Sequence, residues 1–246
     1  MKAEIVPGDS LRTLRAIKGY YECPKDASGK RIGPLVGYAG TYEDENGVKK
    51  QKVGEVYCNF AKADNYPWIL EHYARDLDIG HLFYGAIQAF CGAPLGGYSF
   101  AAILGLVYGV PVIKAEKKVT ALATESSREE TDLVFARDSV EPGVRYAIVE
   151  DVCNNFSTTE KLVPLIQAGG GNVWRIICLL NRSMDVDGSY MTKGGLSIPV
   201  TELVRIKMKD YCQDDPYVKD DIEAGNVVWK PKDKWDALEK AMSEAA

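Results

Sequence analysis

Residues 144–180 read as strand, helix and strand with very little between them. Val144–Val149 is an apolar run, Thr158–Ala168 a helical segment, Gly169-Gly170-Gly171 a stop, and Val173–Leu180 a second apolar run. Two short strands joined through one helix pair in parallel, because the helix carries the chain back across the sheet. Strands that are apolar along their whole length are covered on both faces. The alternation extends upstream. Pro67 suits a helix N1 position and heads a segment with Ile69, Leu70, Tyr73 and Leu77 on one face. A run from Phe83 to Cys91 ends at Gly92-Ala93-Pro94-Leu95-Gly96-Gly97, Tyr98–Tyr108 reads as a buried helix with Gly109 as C-cap, and Val110–Ile113 is a short strand. Ser197–Ile206 reads as the last strand. The expected fold is α/β, a parallel sheet flanked by helices.

The chain ends differ from this middle. Residues 18–60 read as antiparallel hairpins: Tyr20, Tyr21, Val36, Tyr38, Tyr42, Val53, Val56, Tyr57 and Phe60 favour strands, with turns at Ser28-Gly29 and Asn46-Gly47. The tail from Asp210 is polar and Pro-punctuated, and closes in an amphipathic helix around Trp235–Met242. At 246 residues a single domain is expected.

Composition removes several function classes. A net charge of −5 offers no basic surface for nucleic acid, so an anionic ligand would need local positive charge. No stretch approaches the ~18 apolar residues of a membrane span, and Met1–Tyr21 lacks a signal-peptide pattern. Cys23, Cys58, Cys91, Cys153, Cys178 and Cys212 show no C-x-x-C spacing, which argues against a zinc ribbon or a redox motif. A reduced, cytoplasmic setting is the simplest reading of such cysteines. His72 and His81 fall in or near a helical segment and read as structural or surface groups.

Three segments would meet at the carboxyl ends of the parallel strands, where open α/β sheets bind ligands. The first is Glu150-Asp151 at the end of an apolar run, followed by a polar loop and a helix start. Backbone N–H groups at a helix start bind phosphate, and carboxylates beside them hold sugar hydroxyls or a hydrated divalent cation. The plainer reading is a solvated strand end. The second segment, Gly92–Gly97, lets backbone approach a ligand closely, or is simply a tight turn. The third, 114–141, carries Lys114, Lys117 and Lys118 into the polar stretch Thr124–Glu130 without clear periodicity. Lysines that close over a site can neutralise a leaving group, whereas a solvated charged loop needs no function.

Taken together, residues 60–206 resemble the type I phosphoribosyltransferases, and orotate phosphoribosyltransferase most closely. The resemblance rests on Ala147-Ile148-Val149-Glu150-Asp151-Val152-Cys153-Asn154-Asn155-Phe156-Ser157-Thr158, which is similar to the family's signature for 5-phosphoribosyl-1-diphosphate (PRPP). It implies that Glu150 and Asp151 hold the ribose hydroxyls and that Asn154, Asn155, Phe156, Ser157 and Thr158 cradle the 5-phosphate. It also implies that Ala93, Pro94, Leu95, Gly96 and Gly97 bind pyrophosphate, and that Lys117 and Lys118 stand in the flexible catalytic loop. The reaction implied is transfer of the phosphoribosyl group to a base such as orotate, with Mg²⁺ bound through PRPP and Glu150 or Asp151 near it. A homodimer is implied as well. So is a base-selecting hood from about 18–60 and 207–246; Lys30, Arg31, Lys62 and Asn65 could donate to the base, though no spacing singles them out. The family's loop usually has glycine where Phe156 sits; a left-handed Phe there would cost on the order of 1 kcal/mol. That difference keeps open a non-catalytic PRPP- or nucleotide-binding regulator on the same fold. A doubly wound protein with an unrelated phospholigand is the remaining alternative.

Overall fold

The computed structural model describes residues 9–77, 79–80, 86–121 and 130–244; His81, Phe83 and the polar stretch Thr124–Glu129 lie outside them. Two compact units are present, one of residues 63–206 and one of residues 1–62 with 207–246. The chain begins with α1 (Ser10–Ala16), capped by the Asp9 carboxylate, which accepts from the Arg12 amide at 2.9 Å. The strands β1 (Tyr20–Glu22), β2 (Leu35–Glu43), β3 (Lys49–Gly54) and β4 (Val56–Cys58) follow. The tight β2–β3 turn falls at Asn46-Gly47 as expected, with Gly47 at φ 72°. The second expected turn, at Ser28-Gly29, is organised by the Asp26 carboxylate, which accepts from the Ser28 and Lys30 amides.

The larger unit starts with α2 (Pro67–Asp76), which has Pro67 in its first turn and buries Ile69, Leu70 and Tyr73. His72 lies one turn before Asp76 on it, 3.3 Å from that carboxylate. Then come β5 (Ala89–Gly92), α3 (Gly97–Tyr108) and β6 (Val112–Lys114), with Gly109 left-handed at φ 67° as the expected C-cap of α3. A hairpin of β7 (Glu116–Ala121) and β8 (Glu130–Val134) follows. Next are β9 (Arg145–Cys153), α4 (Ser157–Ala168), β10 (Asn172–Asn181), β11 (Ser189–Met191) and β12 (Ser197–Arg205). The sheet order is β11-β12-β10-β9-β5-β6, parallel throughout except for β11 at one edge.

This order places the ligand edge. The β5–α3–β6 connection steps one way along the sheet and β9–α4–β10 steps the other. Right-handed crossovers in opposite directions put α3 and α4 on opposite faces. The apolar runs are therefore buried on both sides: Tyr146, Ile148, Ile176 and Cys178 pack with Leu162 and Ile166 of α4, while α3 packs on β5 and β9. Between β5 and β9 the two connections diverge, and a crevice opens at the carboxyl ends of these two strands.

Two expectations need correction. The segment 114–141 is not a loop throughout: Lys117 pairs with Leu133 and Lys118 with Asp132 in an antiparallel ribbon. A two-stranded ribbon with no fully covered face leaves little alternation in its sequence. The central strand also does not end at Val149. Its ladder with β10 continues through Cys178–Glu150, Leu180–Val152 and Asn181–Cys153, so the acidic pair lies within the strand.

The tail adds α5 (Lys219–Glu223), β13 (Val227–Val228) and α6 (Trp235–Glu244) to the smaller unit. Here β13 pairs in parallel with β2, while α6 buries Trp235 and Leu238 against Tyr21 and Tyr38. The closing helix matches the expected amphipathic segment. Residues from both chain ends thus share two small cores.

Candidate active site

The crevice is built from three separate stretches of chain. After β5, Ala93 donates its amide to the Val149 carbonyl at 2.9 Å, which ties the start of the Gly92–Gly97 loop to the central strand. The Pro94–Leu95 peptide is cis, and Leu95 is exposed. The last two glycines are required by space. A Cβ at Gly96 would come within 2.2 Å of the Asp151 carboxylate, and one at Gly97 within 2.1 Å of the Val149 carbonyl. Gly96 has φ −65° and ψ −29°, an ordinary helical conformation, so close approach and not backbone freedom calls for glycine there.

Glu150 is only 8% exposed. Burial, followed by repulsion from Asp151, raises its pKa to about 8; the Thr158 hydroxyl and the Lys117 ammonium act in the opposite direction. Glu150 therefore carries its proton at neutral pH. Asp151 is half-buried and accepts from the Val152 amide at 2.9 Å.

The loop from Asn154 enters α4 through Phe156, which is left-handed at φ 54° and ψ 22°. This is the position where the resembled family places glycine. The ring does not obstruct the crevice. It is 4% exposed, packs with Leu162 and Ile166, and lies parallel to Tyr190 with centroids 4.4 Å apart. The Tyr190 hydroxyl donates to Glu160 Oε1 at 2.5 Å, and the Lys193 amide donates to the same oxygen at 3.0 Å. Burial, with Glu160 beside it, pushes the Tyr190 phenol up to about 12, so it remains a donor. Burying Phe and Tyr rings that stack is worth more than the local backbone cost of about 1 kcal/mol. The Ser157 amide is taken by the Asn155 side chain at 3.1 Å. The next amides of the first turn have no carbonyl one turn earlier in the helix, the arrangement that receives anions.

A cavity of about 170 Å³ joins these parts, lined by Pro94, Lys117, Leu133, Ser157, Thr158 and Lys161. Sequence reasoning named Pro94, Lys117, Ser157 and Thr158, and the structure brings them together. It did not name Lys161, which stands one turn into α4; a cation three residues after the 154–158 loop was the available signal. Lys118 lines not this cavity but an adjoining groove of about 580 Å³, with Asp132, Glu160 and Pro164; Leu133 and Lys161 border both. Neighbouring ribbon residues point to opposite sides, which explains the separation. The root of the ribbon is fixed: the Ala115 amide donates to the Gly92 carbonyl at 3.3 Å, Tyr98 bonds the Ala115 carbonyl, and Asp138 accepts from the Lys114 amide at 2.7 Å.

A second unnamed residue is Arg182, immediately after β10. It is buried, and its amide donates to the Cys153 carbonyl at 2.9 Å, beside the start of the 154–158 loop. Two donors proposed for the base are engaged within the smaller unit. Arg31 pairs with Glu55 at 3.0 Å and Asp221 at 2.7 Å, and Lys62 lies 3.6 Å from Glu239.

No protein-family model matches the sequence. Among curated proteins, the HGPRTase-like protein 3 of Haloterrigena turkmenica is 28% identical over 120 residues, 46% of this chain and 60% of that protein. The chain thus spans three fifths of the length of the curated relative it matches. The UMP synthase of Leishmania donovani superposes with a TM-score of 0.52 at 13% identity, over 98% of this chain and 43% of that one. The chain has the type I phosphoribosyltransferase fold. An orotate phosphoribosyltransferase from Aeropyrum pernix aligns at a TM-score of 0.49 and 13% identity, over 81% of this chain and 94% of that one. Glu150 and Asp151 lie near the carboxyl end of β9, against the Gly92–Gly97 loop that follows β5. Among the described residues, no helix is long and apolar enough to cross a membrane.

Proposed function

We propose that this chain transfers the 5-phosphoribosyl group from PRPP to a nitrogenous base and releases pyrophosphate. One observation carries the reading. Residues from the Gly92–Gly97 loop, the β7–β8 ribbon and the start of α4 line one cavity at the carboxyl edge of the sheet, beside a buried acid. In this reading α4 receives the 5-phosphate through its first-turn amides and the Thr158 hydroxyl. The Ala93–Gly97 loop receives pyrophosphate, and Lys117 offsets the charge that develops on it as it leaves. Glu150 and Asp151 orient the ribose hydroxyls.

The residues present also fit Mg²⁺. Among the described residues no group of three or more His, Cys, Asp or Glu could cage a metal. The Asp151 carboxylate, with the Glu150 carboxyl group beside it, suits an ion that keeps its waters and shares substrate oxygens. When bound with PRPP, Mg²⁺ would offset leaving-group charge, with Asp151 and Glu150 as its protein partners.

We assign orotate or a related pyrimidine as the acceptor. The resemblance of residues 60–206 to orotate phosphoribosyltransferase suggests this base. Base selection is assigned to the unit built from the chain ends, and a cytoplasmic homodimer completes the reading; sedimentation equilibrium measures the latter. The alternative reading is a PRPP-binding regulator, motivated by Phe156 in place of glycine. Titration calorimetry with PRPP and Mg²⁺, run beside pyrophosphate release with orotate, uracil, adenine and hypoxanthine, separates the two. Release with orotate is expected. Binding without release for any base would favour the regulator, and no binding would overturn both.

A further inference from the structure

Phe156 sits in a left-handed turn without glycine's freedom, and three contacts close a ring around it. Its aromatic face stacks on Tyr190 at 4.4 Å, Tyr190 Oη donates to Glu160 Oε1 at 2.5 Å, and the Glu160 amide donates to the Phe156 carbonyl at 2.9 Å. We infer that Tyr190 and Glu160 are positioning residues that hold the phosphate loop in its turned form from the core side. They do by packing what glycine does elsewhere by backbone freedom.

The anchor is well founded. Tyr190 lies in β11 and pairs with Ile198 of β12, so its ring is fixed to the main sheet. The Lys193 amide also donates to Glu160 Oε1, which leaves that carboxylate little rotational freedom. With Phe156 turned toward the core, Ser157 and Thr158 face the cavity. A flexible loop gives up its freedom when ligand binds, whereas an anchored loop has already done so on folding. The anchor should therefore be felt as affinity for a 5-phosphate and not for pyrophosphate, which the proposal above gives to another loop.

The inference rests on the phosphoribosyl reading of the cavity, and the test separates the two. Dissociation constants for ribose 5-phosphate and for pyrophosphate, each with Mg²⁺, are measured for the wild type, Tyr190→Leu and Tyr190→Phe. Tyr190→Leu is expected to weaken ribose 5-phosphate roughly tenfold, the scale on which a strained turn is released, and to leave pyrophosphate unchanged. Tyr190→Phe keeps the stack and loses the hydroxyl, so it should lie between the two and fold even if the Leu variant does not. Equal losses for both ligands, or no loss in either variant, would overturn the inference. If the wild type binds neither ligand, the phosphoribosyl reading fails. Hydrogen exchange of the Ser157–Glu160 amides without ligand then decides: faster exchange in the variants sustains the anchor, and unchanged exchange removes it.

Discussion

The Glu150→Gln substitution converts the buried acid into a test of the site's electrostatics. In the folded chain the carboxyl titrates at about 8, raised from 4.5 chiefly by burial and then by Asp151. Between these two values the folded protein keeps a proton that the unfolded chain has released. Stability must therefore fall as pH rises from 4.5 through about 8, and level off above. Each pH unit is worth about 1.4 kcal/mol, so the interval of about 3.5 units amounts to about 5 kcal/mol. Gln is neutral at every pH and removes that slope. Urea denaturation in a chelating buffer at pH 5, 7 and 8.5 should show the wild type losing stability while the variant holds level. The variant should then be the more stable protein at pH 8.5. Turnover should fall at the same time, because Gln places an amide NH2 where the carboxyl group presents a second oxygen to the ribose hydroxyls. Parallel pH curves for the two proteins would refute the reasoning, since they would mean that Glu150 is solvated and ordinary.

Further outcomes follow from the same geometry. Gly97→Ala should cost on the order of 1–3 kcal/mol, because its Cβ would press on the Val149 backbone carbonyl, which cannot swing aside. Gly96→Ala should cost less in stability and more in ligand affinity, since it displaces the Asp151 side chain; thermal melts and PRPP titration read the two effects separately. Lys117→Ala should reduce pyrophosphate release with a base, while Lys118→Ala should leave it near wild type, since only Lys117 lines the cavity. Phe156→Ala should destabilise by about 3–5 kcal/mol, as a buried aromatic truncation does; a melt equal to wild type would place the ring in solvent.

Much of the fold was legible because its signals are local. Pro67 and Gly109 mark helix ends by their own backbone limits, and the Asn46-Gly47 turn needs nothing beyond its two residues. The end of β9 was misplaced because Glu150 and Asp151 look like strand terminators. The ladder to β10 carries them further, and that ladder is a property of two segments 20 to 30 residues apart. The β7–β8 ribbon was missed for a related reason: its pairing is cross-strand, and its residues carry no periodic apolar face. Lys161 and Arg182 gave no motif. Lys161 matters because α4 delivers it to the cavity, and Arg182 because its amide meets the Cys153 carbonyl at the end of β9.

By itself, then, the sequence determined the parallel α/β class and the acidic pair followed by a helix start, because strand and helix periodicities and glycine stops act within a few residues. It also marked Phe156 as a departure, because the cost of a left-handed Phe is a backbone property. Only the tertiary structure decided how that cost is met, with the ring buried under α4 and stacked on a strand that lies 34 residues further along the chain. It likewise decided that Glu150 is protonated at neutral pH and that Lys117, not Lys118, faces the cavity. Burial and the direction of a side chain depend on partners distant in sequence, and no local pattern encodes them.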